Sequence, residues 1–124
     1  MSDFEISKNE DDSVDVSVFD VMRDLEKAGT PGLVDRIINT YLETSQPYVS
    51  TIDSFQDKND EEILHAVHTL KSSSANVGAF TLSKICTELE NQVRGGRQDN
   101  FEMLAISAVT EFNVVTSALK KLLG

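Results

Sequence analysis

The chain has 124 residues, 40% of them apolar and 26% charged, the balance of one folded domain with room for a single core. A formal net charge of −10 argues against partnership with nucleic-acid phosphates or anionic membranes, and no apolar run approaches the roughly 18 residues of a membrane span. The lone cysteine, Cys86, excludes an internal disulfide or a thiolate metal cluster.

The amino-terminal stretch MSDFEISKNEDDSVDV lacks the basic-then-apolar order of a signal peptide, so a cytoplasmic location is expected. Residues 1–15 hold six acids, one lysine and few apolar anchors, and read as an acidic disordered lead-in. The initiating methionine and this short lead favour a free protein. The folded domain is assigned to residues 16–124. Its first element is a short helix in which Ser17 caps the run Val18, Val21, Met22 and Leu25, and Gly29 ends it. Thr30 then caps a second helix with Pro31 at its first position. Leu33, Ile37, Ile38, Tyr41, Leu42, Val49, Ile52 and Phe55 carry its apolar phase past Pro47, which should kink the helix near Thr44 without ending it.

A third helix starts at a cap on Asn59 or Asp60, has Glu61 and Glu62 at its positive end, and closes at Gly78. A fourth aligns Leu82, Ile85, Leu89 and Val93, with Cys86 as a buried, inert thiol, and stops at Gly95 and Gly96 after Arg94. A fifth runs from Asp99 to the terminal lysines. No segment alternates strictly with period two; Val114 and Val115 favour strands but sit in a helical phase. The expected architecture is all-α: an antiparallel four-helix bundle with an additional short amino-terminal helix.

The two histidines of the chain lie on the third helix. At about 100° per residue, Ile63, Ala66, Val67, Leu70, Ser73, Ser74 and Val77 form its core face. Glu61, Leu64, His65, His68, Lys71, Ser72 and Ala75 fall on the opposite face, with His68 near its middle. Lys71 follows His68 at i+3 and points the same way. Ser72 and Ala75, at i+4 and i+7, keep the relief low, and Leu64 at i−4 adds apolar area. An imidazole is a nucleophile near neutral pH, and a neighbouring ammonium stabilises a phosphoryl group placed on it. A lone surface histidine is usually only a surface residue, and here the surroundings make the case. His65 and His68 at i, i+3, with the Glu-x-x-His spacing of Glu62 to His65, also suggest a metal-bundle site. That site needs a second such motif, and the chain has no third histidine; His65 is expected to be a bystander in the chemistry.

The segment AVHTLKSSSANVGA resembles the signature of histidine-containing phosphotransfer (HPt) domains, through His68, Leu70, Lys71, Ser73, Ser74, Val77, Gly78 and Ala79. Ser72 stands where that family commonly has glycine. The resemblance implies a carrier in a multistep phosphorelay of two-component signal transduction. His68 would take a phosphoryl group on Nε2 from a receiver-domain aspartyl phosphate and pass it to another receiver's aspartate. It also implies a polar partner for the other ring nitrogen 22 positions on, which here is Glu90, with Arg94 one turn later at a basic position of some members. Read alone, Glu90 and Arg94 are a surface i, i+4 ion pair. Leu64, His65, Ser72, Ala75 and Arg94 make up the expected receiver-docking set. The implied partners are the receiver domains of a hybrid sensor kinase and of a response regulator, met by a monomer. The chain itself carries no cofactor, and Mg²⁺ is expected on the receiver. No nucleotide loop or kinase motif set is visible, so the expectation is a phosphocarrier without autokinase activity. A binding-only module that docks a receiver without carrying phosphate is the alternative, and the intact His68 and Lys71 argue against it.

Overall fold

The computed structural model describes residues 10–97 and 100–124. Among them the helices are α1 (Glu10–Ser13), α2 (Asp20–Lys27), α3 (Leu33–Asp53), α4 (Asp60–Asn76), α5 (Phe80–Arg94) and α6 (Phe101–Lys120), with 3₁₀ turns at Val16–Phe19 and Phe55–Asp57. No described residue is in a strand. Helices α3 to α6 pack in cyclic order, α3 on α4, α4 on α5, α5 on α6 and α6 back on α3. The result is the expected four-helix bundle with a short helix, α2, laid against α3.

The core is the sum of the apolar faces. Ile38, Ile52, Ile63, Leu70, Leu82, Leu89, Phe112 and Leu119 are all buried in it. Cys86 is buried too, and burial pushes its thiol up to about 12, the inert form expected from its spacing. Ser73 departs from the assigned core face. It is half-buried on the wall of a shallow cleft beside Tyr41, while Ser74 is fully buried and shares a 2.7 Å hydrogen bond with the Tyr41 hydroxyl. That pairing satisfies two hydroxyls that the core would otherwise strand.

The ends of the elements differ from expectation in three places. Asp15, not Ser17, caps the first helical turn, accepting from the Ser17 amide at 3.1 Å and from its hydroxyl. Phe19 is the buried anchor of this segment, while Val21 and Leu25 are exposed. Helix α3 starts at Leu33, because Gly32 adopts a left-handed φ of 76°, Pro31 lies with it in a turn and Thr30 precedes that turn. The cap comes from elsewhere: the Glu26 carboxylate of α2 accepts from the Val34 amide at 2.8 Å. The lead-in expected through residue 15 lies in part on residues 1–9, outside the described residues. From Glu10 onward the chain is structured: α1 packs on α6 and α5, and Ser13 and Val14 are buried.

That Pro47 does not end its helix, and that the next helix is capped at one of its two candidates and stops at Gly78, are borne out. Helix α3 is continuous through Pro47. Helix α4 opens with a reciprocal box, in which Asn59 accepts from the Glu62 amide at 2.8 Å and the Glu62 carboxylate accepts from the Asn59 amide at 3.1 Å. At its other end Gly78 has a φ of 81° and accepts the Asp15 amide at 2.9 Å. A Cβ there would collide with the Asp15 carbonyl oxygen. Gly78 thus ends the helix and lets the amino-terminal segment cross against it.

Candidate functional site

Helices α4 and α5 run antiparallel through a three-residue connection, residues 77–79. The tight turn sets their mutual register and brings positions near 68–71 opposite positions near 83–94. The Ser83 hydroxyl donates to the Lys71 backbone carbonyl at 2.9 Å, tying the two helices together at the level of the site. Sequence reasoning missed this residue. Its signal was present, since Ser83, Thr87, Glu90 and Arg94 follow one another at spacings of four, three and four on one side of α5.

The centre of the site is the Glu90 carboxylate. Its side chain is only 10% exposed, yet three cationic or potentially cationic groups converge on it. The Lys71 ammonium donates to Oε1 at 2.8 Å, the Arg94 guanidinium donates to Oε2 at 3.2 Å, and Nδ1 of His68 lies 3.3 Å from Oε2. The Lys71 hydrogen bond is the main reason that the Glu90 carboxyl is held down to about 2, against the opposing effect of burial; Arg94 and His68 add to it. Glu90 is therefore ionised at neutral pH and can only accept. Nδ1 of His68 must then carry the hydrogen, which leaves the lone pair on Nε2. The His68 side chain is 65% exposed, so the ring is gripped at one nitrogen and open to solvent elsewhere.

The structure thus brings His68, Lys71, Glu90 and Arg94 together. It also changes two readings. Glu90 and Arg94 do pair at i, i+4, but around a buried carboxylate and not as a surface pair. Lys71 does not project freely beside His68; it folds over and its ammonium is spent on Glu90, with its side chain 29% exposed. Of the outer positions, Ser72, His65 and Arg94 are exposed. Leu64 and Ala75 are half-buried, and Leu64 packs against the core, so the expected exposed apolar rim is smaller than the helical wheel suggested. His65 meets Tyr48 edge-on, ring centroids 5.7 Å apart. The two imidazoles therefore face different neighbours, one aromatic and one carboxylate.

The family model described as Hpt domain matches residues 36–123. The chain belongs to the Hpt domain family. The match takes in the four bundle helices, all but the first turn of α3, and every residue of the site described above. Among solved structures, the chain is similar in fold to histidine-containing phosphotransfer protein B (HptB) from Pseudomonas aeruginosa PAO1, with a TM-score of 0.74 and 22% identity over 89% of this chain and 93% of that one. It is similar likewise to the histidine-containing phosphotransfer protein ZmHP2 from maize, with a TM-score of 0.77 and 23% identity over 89% of this chain and 82% of that one. No curated protein matches the sequence. The Hpt bundle is all-α here as in those structures, and its family role is phosphotransfer in a phosphorelay.

Proposed function

We propose that this Hpt chain is a working phosphorelay intermediate that takes a phosphoryl group on Nε2 of His68 from one receiver aspartate and gives it to another. The observation that carries this reading is the ionised Glu90 at Nδ1 of His68, because it selects the one tautomer whose free lone pair faces solvent.

The step balances simply. The Nε2 lone pair forms the bond to phosphorus while the bond from phosphorus to the aspartyl oxygen breaks, and the aspartate leaves as a carboxylate. The phosphorylated ring keeps its hydrogen on Nδ1 and is cationic, with Glu90 as its counter-charge. Onward transfer is the reverse step with a second carboxylate as acceptor. The reaction relies on in-line positioning and charge, which makes an exposed ring clamped at one nitrogen a suitable carrier. Lys71 and Arg94 act chiefly through Glu90, keeping it charged, and in this reading they also meet the oxygens of an incoming phosphoryl group.

The docking surface in this reading is the ridge of His65, Ser72 and Ala75 with Arg94 at its edge, and Leu64 as a partly covered apolar contact. The partners are the receiver domains of a hybrid sensor kinase and of a response regulator. The divalent cation of the reaction belongs to the receiver, and this chain contributes no cofactor and no autokinase step. A chain that is monomeric and cytoplasmic fits the role; no helix among the described residues is long and apolar enough to cross a membrane.

Incubation with a receiver carrying aspartyl phosphate tests the reading. Label should move to this chain in an acid-labile, base-stable form, and ATP with Mg²⁺ alone should give none. A chain that binds the phosphorylated receiver but gains no label would be the binding-only module instead.

A further inference from the structure

Helix α6 lacks the charged outer face usual for a surface helix. Between the exposed charges Glu102 and Lys120 at its two ends, its exposed positions are Met103, Ile106, Ser107, Thr110, Asn113 and Ser117, none of them charged. Met103 is 71% exposed and Ile106 58%. Beside this strip a groove of about 520 Å³ opens between α5 and α6, with Ile85, Leu104, Ile106 and Val114 as its apolar lining and Glu88 and Glu111 as its charged groups. No basic side chain lines it among the described residues. Lys84, one turn before Glu88, is exposed outside it, and Glu102 stands beside Met103.

We propose that this groove is a second docking surface, separate from the His68 ridge, and that its occupant is an amphipathic helix of another protein with a basic flank. Leu104 to Val114 spans about 15 Å of helix, so a partner of about three turns would cover it. The apolar strip takes the partner's apolar stripe at spacings of three and four, and Glu88 in the groove, with the exposed Glu102 next to Met103 in sequence, takes its lysines or arginines. The charge pattern excludes the simpler occupants. A second copy would bring the same carboxylates of a −10 chain face to face, and an anionic lipid surface would meet them directly.

Geometry makes the two surfaces independent. On α5, Glu88 and Glu90 are two residues apart, roughly 200° around the axis, so the helix shows one side to the groove and the other to His68. A partner in the groove would leave the ridge open, and the chain could be held by one protein while exchanging phosphoryl groups with another.

The test uses the full chain and a designed 18-residue helical peptide with leucines at spacings of three and four and flanking lysines, and compares a twin with glutamates in place of the lysines. Methyl resonances of Ile85, Leu104, Ile106 and Val114 should shift saturably with the lysine peptide and not with its twin. Ile106→Asp and Glu88→Lys, both exposed or at the rim, should each weaken binding by about tenfold or more while circular dichroism stays unchanged. His68→Gln should bind the peptide normally, so the outcome does not depend on whether His68 carries phosphate. Shifts on the His65–Ser72 ridge, or equal binding of the acidic twin, would overturn the proposal. So would saturable binding of a peptide of residues 1–9, or a dimer in sedimentation equilibrium that Ile106→Asp dissociates, since the occupant would then be the chain itself.

Discussion

Helix α5 presents two unlike surfaces. Toward α4 it offers a buried carboxylate with three nitrogen-bearing side chains gathered on it; toward α6 it offers an apolar groove in which the charges are acidic. Both surfaces stand on the same buried row, Leu82, Cys86, Leu89 and Val93. The core fixes where each outward residue sits, and a two-residue step along one helix is enough to change what the surface can do. The polar side is organised around one atom pair at His68, so its function should fail sharply. The apolar side is spread over several contacts and should fail gradually.

The most severe break on the polar side is His68→Gln. Phosphoryl uptake should vanish, because glutamine has no nucleophilic ring nitrogen, while stability stays within about 0.5 kcal/mol of the wild type. Labelling of this variant by a phosphorylated receiver would remove the carrier from the reading. Bulk on the same ridge comes next. Ser72 is exposed at i+4 from His68, and Ser72→Arg should cut transfer from a receiver by about 100-fold, since a displacement of roughly 1 Å costs that much. A small free phosphodonor, which needs no docking, should still modify His68 in that variant at close to the normal rate.

Lys71→Ala sharpens the role of the network. One charge-assisted contact contributes about 1.5–3 kcal/mol, or roughly 10- to 100-fold in rate if it acts fully in the transition state. Because the ammonium is engaged with Glu90, the same variant should also raise the Glu90 pKa, readable by carboxyl titration in NMR. Unchanged rate and titration would leave Lys71 as a structural lysine. Acid stability separates the charge from the shape of Glu90. Its folded pKa of about 2 lies below the ordinary 4.5, so its contribution is fully present above the ordinary value and lost as pH falls through the folded one. The stability gap between wild type and Glu90→Gln should be constant near neutral pH and close as pH falls toward about 2. The smallest effect is expected from Ile106→Asp on phosphoryl uptake, none beyond error. A slowed transfer would show that the two faces of α5 are coupled.

Much of this was legible in the sequence, and the reasons are local. The apolar spacings of α3 to α6 recur over three or more turns, which is enough to fix phase, and the phase alone put His68 outward and Cys86 inward. The third-helix cap, narrowed to Asn59 or Asp60, and the stop at Gly78 are short-range chemistry and were readable for that reason. What could not be read depends on contacts across the fold. Glu26 capping α3, Asp15 meeting Gly78, and Val14 entering the core join residues distant in sequence or hidden in an acidic segment whose composition suggests disorder. At the site, the i, i+4 spacing of Glu90 and Arg94 was visible, but the burial of Glu90 and the folding-over of Lys71 are set by how closely α5 lies on α4.

Position 78 carries a lesson for how such chains drift over generations. Any side chain there faces two separate penalties, a left-handed backbone and a collision with the Asp15 carbonyl, and neither involves phosphate. A lineage that stopped using His68 would be free to replace the imidazole and would still be held to glycine ten residues later. In descendants of this chain, glycine at 78 would testify to the architecture, and only histidine at 68 would testify to the trade.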